Sequence, residues 1–80
     1  MQLKILLFGI STDLIGANSL DFELLENSSV KDFKREFQNT YPQLSQIESY
    51  AIAVNENYAA DEDILQNNDV IAIIPPVSGG

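Results

Sequence analysis

The stretch Val70-Ile71-Ala72-Ile73-Ile74, unbroken in apolar side chains and stopped by Pro75-Pro76, constrains the fold of this chain more than any other feature. A short apolar run rich in β-branched residues predicts a strand buried on both faces, and hence the centre of a sheet. Proline has no N–H to give to a ladder, so the strand ends there. A central strand needs a neighbour on each side. The other dense apolar segment, residues 3–10, carries one lysine and supplies the first. Both must find their partners within 80 residues, a length with room for one small core in which nearly every apolar face is used.

The remaining elements follow from periodicity. Residues 20–26 alternate, with Leu20, Phe22 and Leu24 on one side and Asp21 and Glu23 on the other, as in a half-buried antiparallel strand. Between these two strands, Leu14-Ile15-Gly16-Ala17-Asn18 reads as a loop with a small apolar anchor. Ser29 is a good N-cap, and Asp32 can close a capping box with it. Val30, Phe33, Phe37 and Tyr41 then recur at helical spacing until Pro42 stops the helix. Residues 43–49 read as polar linker. Residues 50–55 form a third strand with Ile52 and Val54 inward, and Tyr58-Ala59 a short return strand. Ile64 and Leu65 tuck back toward the core, and Asn67-Asn68-Asp69 makes a turn.

This is an α+β chain: one main helix on one face of a mixed sheet, with a Gly-Gly tail beyond it. The order resembles the ubiquitin-like β-grasp, in which the first and last strands pair in parallel at the centre. Residues 1–75 are assigned to that domain and residues 76–80 to a flexible tail.

Composition excludes several functions. There is no Cys and no His, which removes thiol nucleophiles, disulfides, the commonest general base and the commonest metal ligands. A formal charge of −8 with four basic residues rules against nucleic acid and suits basic protein partners. Asp61-Glu62-Asp63 lacks calcium-loop spacing and reads as a solvated loop, so no metal site is expected. The N-terminal apolar run is too short to span a membrane, so a cytoplasmic location is the expectation.

The tail carries the functional signal. Pro75 and Pro76 stiffen the exit from the last strand, and Val77 and Ser78 lead to Gly79 and Gly80, which have no side chains. Such an end can thread into a narrow active site and present a terminal carboxylate end-on. A terminal Gly-Gly pair alone favours a frayed end; its place directly after proline-stiffened strand residues reverses that preference.

At these residues the chain resembles a known family. Asp69-Val70-Ile71-Ala72-Ile73-Ile74-Pro75-Pro76-Val77-Ser78-Gly79-Gly80 is similar to the C-terminal signature of molybdopterin synthase small subunits. Ala53-Val54-Asn55-Glu56-Asn57-Tyr58 is similar to a central motif of that family, and Lys4-Ile5-Leu6-Leu7-Phe8-Gly9 with Leu14-Ile15-Gly16 to its start. The chain departs at Thr12-Asp13, where the family usually has Arg-Glu, so a partner contact made by that arginine is not carried over. It departs again at Asn67-Asn68, where Asp-Gly is common and Asn fills the same turn.

The resemblance implies a sulfur carrier in molybdenum cofactor biosynthesis. An ATP-dependent adenylyltransferase similar to ubiquitin-activating enzymes would adenylate Gly80. Sulfur transfer would convert it to a thiocarboxylate. Residues Pro75, Pro76, Val77, Ser78 and Gly79 would thread into the large synthase subunit, where the sulfur passes to a cyclic pyranopterin. The carrier would be a non-catalytic subunit of a sulfurtransferase: catalytic side chains are expected on the large subunit, no cofactor is bound, and ATP belongs to the activating enzyme. Phe8, Tyr58 and Ile74 are the residues the resemblance implies as contacts to the large subunit. From the residues alone, one helix cannot cover both sheet faces, so Leu6 and Phe8 suggest a docking patch. The alternatives are a carrier of the same fold serving thiamin, amino-acid or tRNA thiolation, a β-grasp interaction domain without tail chemistry, and a modifier attached to lysines.

Overall fold

Alternation along the first strand, β1 (Gln2–Leu7), decides which face of the sheet is covered. In the computed structural model, which describes residues 1–47 and 49–76, Leu3, Ile5 and Leu7 are buried while Gln2 and Lys4 are exposed and Leu6 is half-buried. After β1 come a short helix α1 (Ile10–Ile15), β2 (Ser19–Glu23), the main helix α2 (Val30–Thr40), a 3-10 turn (Pro42–Gln46), β3 (Ala51–Val54), β4 (Asn57–Tyr58) and β5 (Val70–Ile74). The sheet order is β2-β1-β5-β3-β4. β1 and β5 pair in parallel, with Ile5 opposite Ile71 and Leu7 opposite Ile73; the other pairs are antiparallel. This is the ubiquitin-like β-grasp arrangement expected from the element order. The readings on Val77, Ser78, Gly79 and Gly80 lie outside the described residues.

The core lies between the sheet and α2. Phe33 and Phe37 are fully buried and stack with centroids 5.0 Å apart. Phe22 meets both edge-on, at 5.7 and 5.1 Å. Quadrupole attraction favours that geometry over a face-to-face sandwich. Leu3, Ile5, Ile71 and Ile73 complete the sheet side, and Leu65 closes one end.

The start of α2 is fully satisfied. Ser29 Oγ accepts from Asp32 N–H at 3.2 Å, and Ser29 N–H donates to Asp32 Oδ2 at 3.0 Å, a reciprocal capping box. The acidic loop supplies the next acceptors: Val30 N–H donates to Asp63 O and Lys31 N–H to Asp61 O. These bonds meet the donors that a helix start leaves unpaired. Asp61 also pairs with Lys34 at 2.8 Å, and Asp63 Oδ2 accepts from Ala60 N–H, so the loop is structural.

Ser29→Ala is therefore expected to lower stability by about 1 kcal/mol, read as a shift in urea midpoint without a change in slope. The Ser29 backbone N–H, then its hydroxyl and the Arg35 guanidinium, hold the Asp32 carboxyl below its usual pKa. A lowered folded pKa means that the stabilisation is complete above the unfolded carboxylate pKa and is lost as pH falls through the folded one. The stability gap between the wild type and Asp32→Asn should thus be widest near neutral pH and close below about pH 4.

Several readings are corrected. β1 ends at Leu7 rather than running to residue 10, because Gly9 adopts φ 57° and ψ −137°, outside the strand region. The expected loop anchor is instead part of helix α1, whose six residues are too few to show a helical period. The expected polar linker holds the 3-10 turn, with Leu44 (0% exposed) and Ile47 in the core; two apolar residues among Gln and Ser have no periodicity to announce them. Only Leu65 of the Ile64-Leu65 pair tucks in, since Ile64 bridges Ser29 through its backbone and leaves its side chain half-exposed. β5 is central, yet only Ile71 and Ile73 are buried. Val70, Ala72 and Ile74 are half-buried on a face that no helix covers. No helix among the described residues is long and apolar enough to cross a membrane.

Candidate functional site

The uncovered face of the sheet is apolar at its centre. Cα partners in adjacent strands share a face, so the registers place Leu6, Ala72, Ala53 and Tyr58 in one row across β1, β5, β3 and β4. The next row sets Ile74 opposite Ala51. Tyr58 is 76% exposed, and Phe8, just beyond the end of β1, is 49% exposed. Ala72, Ala53 and Ala51 keep the middle flat between Leu6, Ile74 and Tyr58. Toward the β2 edge the face turns charged, with Lys4 opposite Asp21 and Gln2 opposite Glu23.

The exit of β5 borders this face. A shallow groove is lined by Ser49, Tyr50, Ala51, Tyr58, Ile74, Pro75 and Pro76. The two prolines follow Ile74 directly, Pro75 half-buried and Pro76 exposed. Burial raises the pKa of the Tyr50 phenol on the groove wall, keeping it neutral.

Two networks hold the face in register. Asn55, at φ 50°, donates through Nδ2 to Asp69 Oδ1 at 2.9 Å and accepts from Val70 N–H at 2.9 Å. Asp69 Oδ2 accepts from Gln66 N–H at 2.7 Å. Asn55 thereby ties the β3–β4 hairpin to the turn that launches β5, joining the central and C-terminal motifs singled out in the sequence. At the other end, the Phe8–Ser11 turn closes through Ser11 N–H to Phe8 O at 3.2 Å. Neither the tie nor the turn was assigned from the sequence. A lone buried Ser leaves no periodic signal; the quoted motifs could have pointed to Asn55 and Asp69.

Of the sequence-predicted residues, the structure brings Tyr58, Ile74, Pro75 and Pro76 to one groove and puts Phe8 just past the end of β1. The site has apolar contact area and a stiffened exit. The chain has no His and no Cys, so the site has no imidazole and no thiol.

Residues 5–80 match the ThiS family. This chain belongs to the ThiS family. Within it, the chain is similar over its whole length to proteins named molybdopterin synthase sulfur carrier subunit. The Dictyostelium discoideum protein is 45% identical, with 99% of this chain and 96% of the relative covered. The Arabidopsis thaliana protein is 35% identical, with 100% and 84% covered. Among solved structures, this ThiS-family chain is similar to small archaeal modifier protein 1 from Haloferax volcanii, with TM-score 0.88, 21% identity and both chains fully covered. It is also similar to a complex of subunits 1 and 2 of molybdopterin-converting factor from Helicobacter pylori, with TM-score 0.71, 24% identity and both chains fully covered. At those identities the likeness is one of fold.

Proposed function

We propose that this chain is the sulfur carrier subunit of a molybdopterin synthase, working through a thiocarboxylate on Gly80. The observation that carries the reading is a junction: an open apolar sheet face meets a proline-stiffened strand exit that leads to Gly79 and Gly80. The full-length likeness to sulfur carrier subunits supplies the pathway.

The chemistry needs nothing from this chain beyond its carboxyl. A carboxylate resists nucleophiles because its leaving group would be an oxide. Attack on ATP by the Gly80 carboxylate gives an acyl adenylate and releases pyrophosphate. Hydrosulfide released by the sulfur donor then attacks the acyl carbon, AMP leaves with the C–O bond electrons, and loss of the S–H proton leaves C(=O)S⁻. That sulfur is polarizable and ionised near neutral pH, which suits it to attack a pyranopterin carbon. The activating adenylyltransferase supplies ATP, and the large synthase subunit supplies acid, base and substrate site. No bound cofactor is required of the carrier.

Docking uses the open face. Phe8, Tyr58 and Ile74 present apolar area to the large subunit, while Pro75 and Pro76 aim residues 77–80 into its active site. The formal charge of −8 speeds encounter with basic surfaces. Phe8→Ala should raise the Kd for the large subunit about 30-fold, the effect of losing about 2 kcal/mol at an interface aromatic. Its melting temperature should hardly move, since the residue is half-exposed in the free protein. A collapse in stability with normal binding by the folded fraction would place Phe8 in the core and the docking surface elsewhere.

The direct assay is intact-mass measurement before and after incubation with the activating enzyme, ATP and a sulfur donor. The first spectrum establishes a free Gly80 carboxyl. The second should show one oxygen replaced by sulfur, mapped to Gly80. A protein left unmodified by enzymes that thiolate a control carrier would sink the proposal. Conjugates to lysine side chains in a lysate would instead favour a protein modifier.

A further inference from the structure

The turn after β1 grips the backbone of Phe8 through one buried hydroxyl. Ser11 is 0% exposed. Its Oγ accepts from Phe8 N–H at 3.1 Å and donates to Phe8 O at 2.5 Å. Ser11 N–H adds a bond to the same carbonyl, and Thr12 N–H donates to Gly9 O at 3.1 Å. Gly9 makes the reversal possible: φ 57° with ψ −137° is nearly closed to residues with a Cβ. The turn also abuts the tail exit, since a Cβ built on Gly9 would lie 3.7 Å from Pro75 Cγ. An alanine would sit in the same small buried space without forcing its neighbours. What the hydroxyl adds is two bonds, both to Phe8.

We infer that Ser11 is a positioning residue for docking, holding Phe8 in the direction in which the large subunit receives it. The inference rests on the reading of Phe8 as a docking aromatic. A half-exposed aromatic just past the end of a strand has no ladder to orient it. Bonds to its own N–H and C=O fix the Cα–Cβ direction before the partner arrives. The ordering cost is then met in the free protein rather than at association. The same turn lies next to Pro75, so the anchor and the root of the tail are neighbours in space.

The test is a double-mutant cycle on the intact carrier and large subunit, read by calorimetry. Ser11→Ala should weaken binding about fivefold to tenfold when Phe8 is present, a coupling of the size found between contacting residues. In a Phe8→Ala background the same substitution should change affinity less than about twofold. An equal loss in both backgrounds, or no loss in either, overturns the role assigned to Ser11 while leaving Phe8 docking intact. If Phe8→Ala itself leaves affinity unchanged, the docking reading fails and this inference falls with it. Should Ser11→Ala fail to fold, the unmodified protein decides by amide hydrogen exchange. A protected Phe8 N–H supports the clasp, and free exchange of that amide overturns it.

Discussion

Deleting Gly80, or adding one residue after it, is expected to abolish sulfur transfer and leave the fold untouched. One residue of extended chain moves the reacting carbonyl by about 3.3–3.6 Å. In the proposed cycle the carbonyl has to reach a set point in two enzymes in turn, and misplacement by about 1 Å can already lose on the order of a hundredfold in rate. Folding should survive because the described core ends with Ile73 and the half-buried Ile74. Gly79→Val should fail in the same assay, through bulk in a narrow channel and lost backbone freedom. The measurements are thiocarboxylate yield by intact mass and, separately, melting temperature. Full transfer by a protein lacking Gly80 would remove the tail from the mechanism and leave the open face as a plain interaction surface.

Phe33→Ala should destabilise the domain strongly, by about 3–5 kcal/mol. Phe33 is fully buried between the edge of Phe22 and the face of Phe37. Truncation removes both aromatic contacts and opens a cavity that the surrounding core can fill only in part. An 80-residue domain sits toward the low end of the ~5–15 kcal/mol range, so the variant should be partly unfolded near room temperature. Urea denaturation checks this, with Phe33→Leu as a milder control. A loss below about 1 kcal/mol would mean that the aromatic cluster is not the keystone its geometry implies.

Much of the fold is legible in the sequence. The stripe of Val30, Phe33 and Phe37 marked the face of α2, and Ser29 with Asp32 marked its start, because caps and helical periods are local and leave local signals. Leu3, Ile5 and Leu7 were separable from Leu6 and Phe8 by alternation alone. What stayed hidden had no period. Leu44 and Ile47 enter the core from a 3-10 turn, α1 is a turn and a half long, and Ser11 is a buried polar residue in a stretch that reads as loop.

On the site, the sequence by itself determined the parts: an apolar last strand, two prolines, a Gly-Gly end, and a composition with neither thiol nor imidazole. Tertiary structure decided where those parts meet. The apolar run of β5 predicted burial on both faces. Only pairing with β1 and β3, under a single covering helix, shows that Ala72 and Ile74 belong to an open face shared with Tyr58. The grip of Ser11 on Phe8, and the tie of Asn55 to Asp69 across 14 positions, are likewise products of folding. The physical reason is common to all of them. Side-chain pattern is a property of neighbours along the chain and records which residues avoid water. Which surface finally covers them, and which is left open, depends on contacts between segments far apart in sequence.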